Sequence, residues 1–154
     1  MAFYMWLLGL CIGSIFASGA FSASVIFNAN DFGVDISKFE SGILMTAIFS
    51  KLNTLLLFSA FVIVFYEIIS FRLGSGGRIN KILLFLSASI SVICILLFSL
   101  YYSPYIIETQ KLGESAIASS EFASMHTQSK VVFYILFFTL SFNFIYRILY
   151  SKEN

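Results

Sequence analysis

The sequence predicts an all-α integral membrane protein: a four-helix bundle with both termini inside and a fourth helix extended on the outer side. Three observations carry this. Of 154 residues, 59% are hydrophobic and only 11% are charged, where soluble domains average roughly 25% charged. The apolar residues gather into runs near 3–27, 43–71, 82–102 and 131–149, each close to the roughly 20 residues that cross a bilayer. The basic residues are divided unevenly between the two sides of those runs. Four crossings fill residues 1–154 as a single transmembrane domain.

The first run, 3–27, could be taken for a signal peptide with a cleavage site near Ala17, Ser18 and Gly19. Its start lacks Lys or Arg, and its hydrophobicity continues to Phe27, well past the ~7–15 residues of a signal core. It reads as a helix. Gly9, Gly13 and Ala17 recur every fourth residue, with Ala20 and Ser24 on the same interval. Such a stripe lets two membrane helices approach closely, either within the bundle or against another copy or membrane partner.

A polar connection at 28–41 precedes the second run, which holds Lys51, Asn53 and Glu67 among apolar residues. Next come a Gly/Ser turn at 72–81 and the third run, which ends among Tyr101, Tyr102 and Tyr105 around Pro104. Aromatic clusters of this kind mark a membrane interface. The segment 106–129 is polar, and Ser120 followed by Glu121 resembles a helix N-cap with an acid in the first turn. The fourth helix should therefore start near Glu121 and project about 15 Å beyond its apolar run.

Arg72, Arg78 and Lys81 crowd the 72–81 turn, and Arg147 and Lys152 lie at the C-terminal end. Lys38, Lys111 and Lys130 are spread through longer segments diluted by acids. The positive-inside rule then places the termini and the 72–81 turn in the cytoplasm, with 28–41 and 106–129 outside. The bilayer is the expected partner. A net charge of +1 and the absence of a basic stripe give no sign of nucleic-acid binding.

Ionisable side chains inside a span are costly and often functional. Lys51 has two readings. Its ammonium could snorkel to the outer interface, or it could face an outer pocket with Asn53, His126, Ser129 and an acid from Glu108, Glu114 or Glu121. Lys51 and Asn53 are two residues apart, about 200° around a helix, so they cannot both point into one pocket. Glu67 fits an ion pair with Arg72 or Arg147 near the inner end. Met45, Met125 and His126 fall on the outer side with ligand types that suit copper(I). Cys11 and Cys94 sit in apolar runs and read as small core residues. No catalytic triad, phosphate loop, HExxH or paired-acid motif is present, so no enzyme is expected.

At 42–55 (GILMTAIFSKLNTL), 102–110 (YSPYIIETQ) and 121–129 (EFASMHTQS) the chain resembles a bacterial four-helix membrane domain of unknown function. That domain is grouped with the transmembrane-protein-205-like proteins. Gly42, Lys51 and Asn53 match its second helix, and Phe122, His126 and Ser129 match its entry to the fourth. Ala23, Ser24 and Val25 depart from it, since many members carry a proline there. The resemblance implies a multi-pass protein of the bacterial inner membrane. Its eukaryotic relatives are linked to resistance to platinum drugs, and the group is distantly similar to copper-resistance membrane proteins. That implies transport or the handling of toxic ions; a non-catalytic subunit assembling through Gly9, Gly13 and Ala17 is the other expectation.

Overall fold

The structure, a computed structural model, describes residues 1–73 and 77–150. Residues 74–76 of the basic turn, and Lys152, lie outside the described residues. Four helices are long and apolar enough to cross a membrane: α1 (Ala2–Phe27), α2 (Lys38–Leu73), α3 (Arg78–Lys111) and α4 (Ser120–Tyr150). They alternate in direction, so both termini reach one end of the bundle. We call this the termini end and the other the distal end.

α1 matches the predicted run, but α2 starts at Lys38 rather than 43. The cause is a capping box. Ser37 Oγ accepts the Glu40 N–H at 3.1 Å, and Glu40 Oε2 accepts the Ser37 N–H at 2.8 Å. Ser-x-x-Glu is readable in the sequence, and apolarity alone passes over it. α4 starts at Ser120, close to the expected Glu121. Its cap is one residue earlier than expected: Ser119 Oγ accepts the Phe122 N–H at 3.2 Å.

α3 departs most from expectation. It was predicted to end near 102 and instead runs to Lys111, straight through Pro104. Proline inside a helix removes a donor and collides with the carbonyl four residues back. Here Phe98–Tyr102 forms a π turn whose extra residue relieves that crowding. The α-helix resumes at Ser103 with Pro104 in its first turn, where proline is tolerated. α1 carries a second π turn, Ala17–Ser22.

At 1.5 Å per residue, the 36 residues of α2 span about 54 Å, against roughly 30 Å of hydrocarbon. The surplus lies chiefly at the distal end, where polar turns of α2, α3 and α4 stand together. The core between the helices holds Leu8, Cys11 and Ile15, Leu56 and Ile63, Ile95, and Leu136 and Leu140, all nearly inaccessible. Toward the distal end it becomes aromatic. Phe49, Phe98 and Phe133 meet with ring centroids 4.9 to 5.7 Å apart. Many other phenylalanines, such as Phe58, Phe61 and Phe65, face outward, as expected of a lipid-facing surface.

The helices are not buried equally. From Ala2 to Phe16, α1 buries Tyr4, Leu7, Leu8, Cys11 and Ile15. From Ala17 to Phe27 it buries Ser18 alone.

Candidate functional site

α2 turns one face inward: Leu52, Asn53, Leu56, Ser59, Ala60, Ile63 and Glu67 recur at helical intervals and are all buried. Three of them are polar, and each finds a partner on another helix. A polar group in an apolar interior costs several kcal/mol if it goes unpaired, so these partnerships fix how the helices stand.

The most charged contact is at the termini end. Glu67 and Arg147 are 3% and 5% exposed, and Arg147 Nη2 donates to Glu67 Oε1. Of the two expected partners, Arg147 rather than Arg72 is therefore the one used. Tyr4 Oη donates to the same carboxylate oxygen at 2.6 Å, and Asn143 Oδ1 lies 3.3 Å from that hydroxyl. One hydroxyl carries one proton, so the shorter bond to Glu67 takes it. Asn143 in turn donates from Nδ2 to Ser87 Oγ at 2.9 Å and to the Leu84 carbonyl at 3.0 Å. Tyr4 belongs to α1, Glu67 to α2, Ser87 and Leu84 to α3, and Asn143 and Arg147 to α4. All four helices thus converge on one polar node.

The tyrosine rings complete it. Tyr4 and Tyr66 stack with centroids 3.9 Å apart, and the Arg147 guanidinium lies 5.1 Å from each. Equal distances of that size put the cation beside the stack and not between the rings. Arg147 Nη1 reaches Ser70 Oγ at 3.5 Å, while its buried Nε has no partner among the described residues. Tyr4 gave no signal in the sequence, being one aromatic among many. The inward placing of Glu67 could have been read from its helical interval with Asn53 and Ser59.

Two further contacts stand along the bundle. The Cys11 thiol donates to Ser59 Oγ at 3.0 Å, so this cysteine is a polar partner as well as core filler. Ser91 Oγ and Thr139 Oγ1 join α3 to α4 at 2.8 Å. Nearer the distal end, Asn53 clasps the π turn of α3: Ser99 Oγ donates to its Oδ1 at 3.0 Å, and its Nδ2 donates to Ser103 Oγ at 2.9 Å. This amide binds the helix within the π turn, at Ser99, and just after it, at Ser103.

The outer pocket expected from the sequence is only partly assembled. Asn53 and Ser129 are buried, but Lys51, Glu108, Glu121 and His126 are exposed. Lys51 points away from the face that carries Asn53, as their angular separation requires. Ser129 Oγ donates to the His126 carbonyl of its own helix at 2.7 Å. Glu108 pairs with Lys111 on the surface at 2.6 Å. Of the soft-metal candidates, Met45 is 4% exposed inside the bundle, Met125 is half-buried, and His126 is exposed with its ring parallel to Phe122. Among the described residues, no three of His, Cys, Asp and Glu gather closely enough to hold a metal ion.

The small-residue stripe also has a definite place. A Cβ on Gly9 would lie 3.7 Å from the Phe144 ring, so Gly9 packs against α4. A Cβ on Gly13 would meet nothing within 4 Å among the described residues, and Ala17 is exposed. Beside them, Met5, Trp6, Gly9, Leu10 and Phe144 line an open groove of about 370 Å³ on the lipid-facing side of α1 and α4.

Residues 6–115 match a family described as a domain of unknown function, DUF4149. The chain belongs to this family. The match covers nearly all of α1 and the whole of α2 and α3, and leaves Tyr4 and all of α4, with Asn143 and Arg147, beyond it. No curated protein and no solved structure matches the chain. With its four apolar helices, this DUF4149 member is a multi-pass integral membrane protein of uncharacterised role.

Proposed function

We propose that this DUF4149 protein is a non-catalytic membrane subunit that docks a second helix, from another copy or a membrane partner, on the exposed side of α1. One observation carries the reading: Gly13 has no neighbour within 4 Å of its Cβ position among the described residues. The stripe could have served packing within the bundle or outside it, and Gly13 and Ala17 are not used within. Small residues facing lipid let a second backbone approach closely, and close packing is a principal source of helix association in bilayers. The flanking groove at Met5, Trp6 and Leu10 adds an open, mostly apolar surface.

Gly13→Leu is expected to abolish the oligomer or the partner association while leaving the bundle folded, since the new side chain points into lipid. Cross-linking in native membranes reads this. An unchanged assembly profile would sink the proposal.

The positive-inside distribution supports both termini in the cytoplasm of a bacterial inner membrane, which sets the projecting turns of α4 outside. A second reading, the handling of a soft metal ion, draws on Met125 and His126, adjacent on those turns, and on the likeness to the transmembrane-protein-205 group. Copper(I) titration of the purified protein should then show binding that His126→Ala weakens at least tenfold. Equal binding by both proteins would remove His126 as a ligand.

A further inference from the structure

Two neighbouring helices in a bilayer part easily only where no polar contact joins them. Apolar contacts between helices can be exchanged for acyl chains at lower cost than polar ones, because lipid is as apolar as the side chains it replaces. Hydrogen bonds cannot be exchanged so, since hydrocarbon offers no partner. This distinction sorts the seams of the bundle.

At the termini end, Tyr4 holds α1 to α2 through its bond to Glu67, and to α4 through Arg147, which donates to the same carboxylate oxygen and lies 5.1 Å from the Tyr4 ring. In the middle, Cys11 holds α1 to Ser59 of α2. Beyond it, among the described residues, the distal part of α1 keeps one polar tie to another helix, and that tie goes to α2: Ser41 Oγ donates to the Ile26 carbonyl at 3.2 Å. Toward α4 its contacts are apolar. The Phe16 and Phe137 rings lie 6.1 Å apart, and the Gly19 Cβ position lies 3.3 Å from Phe133 Cε1.

The π turns divide along the same line. The one in α3 is held by Asn53, which bonds Ser99 within it and Ser103 just after it. The one in α1, Ala17–Ser22, has no interhelical side-chain hydrogen bond among the described residues, and Ser18 is its one buried residue. A π turn interrupts the regular hydrogen-bond ladder, a common site of bending.

From this we propose that Ala23–Phe27 and the connection at 28–37 form a movable strap. It pivots at Ala17–Ser22 and parts from α4 while staying with α2. The node keeps the termini end shut. Bending of the π turn lifts Gly19 from Phe133 and uncovers that ring sideways to the bilayer, giving an opening at one end and in one direction. Acyl chains of the surrounding lipid are its first occupants.

Nitroxide pairs read by electron paramagnetic resonance in lipid nanodiscs test this, with Cys11 and Cys94 replaced by Ser and Ala. One pair joins Val25 to Val131 across the distal seam; the other joins Phe3 to Leu149 at the termini end, all four positions being exposed. The distal pair should give two distance populations, or one at least twice as broad as the reference pair. Two equally narrow distributions would overturn the proposal. Gly19→Leu, which crowds Phe133, should move the distal pair to longer distance and leave the reference pair unchanged. A shift of both pairs, or of neither, would also overturn it.

Discussion

Arg147→Leu should destabilise the protein by about 3–5 kcal/mol, the usual consequence of removing one partner from a buried ion pair. The cause is what stays behind. Glu67 is 3% exposed and would keep a carboxylate in an apolar interior, with the Tyr4 hydroxyl as its remaining donor. Glu67→Leu should be as damaging, since it leaves the guanidinium flanked by tyrosine rings and Ser70. The double replacement Glu67→Leu with Arg147→Leu removes both charges and should recover most of the loss, because a buried pair roughly offsets its own desolvation. Thermal unfolding in detergent and steric trapping in bicelles would both measure this. If the double variant were as unstable as the sum of the singles, the pair would not be the source of the effect.

A second large effect is expected at Leu136, which is 0% exposed in the middle of the bundle. Leu136→Ala should cost about 2–5 kcal/mol, combining lost contacts with an unfilled cavity. Leu100, at 60% exposure, is the control: its truncation exchanges protein surface for lipid contact, with an effect within about 0.5 kcal/mol. Similar losses at both sites would mean that helix hydrophobicity, and not packing, holds the bundle together.

The four helices were legible because each needs an unbroken apolar run of membrane length, a property composition displays directly. Their ends were less so. The start of α2 depends on four residues around Ser37 and Glu40, too few to alter an apolar average. The continuation of α3 past Pro104 depends on a π turn, for which no sequence pattern was available. The site was legible in the part that geometry controls: two residues apart on a helix, Lys51 and Asn53 could not share a pocket, and they do not. The partners of Asn53 and Tyr4 were hidden because Ser99, Ser103 and Glu67 lie 46 to 63 residues away. Separations of that size are settled by the packing of whole helices and leave no local trace.

The polar node also bears on the order of biosynthesis. Its members lie far apart in the chain, Tyr4 and Glu67 by 63 positions and Glu67 and Arg147 by 80. A growing polypeptide therefore carries Glu67 into the bilayer long before its cation exists. Until α4 arrives, the carboxylate must be drawn toward the aqueous boundary or shielded by another protein. An incomplete chain is thus marked by a single acid without its counter-charge, which is a signal that membrane quality control could read.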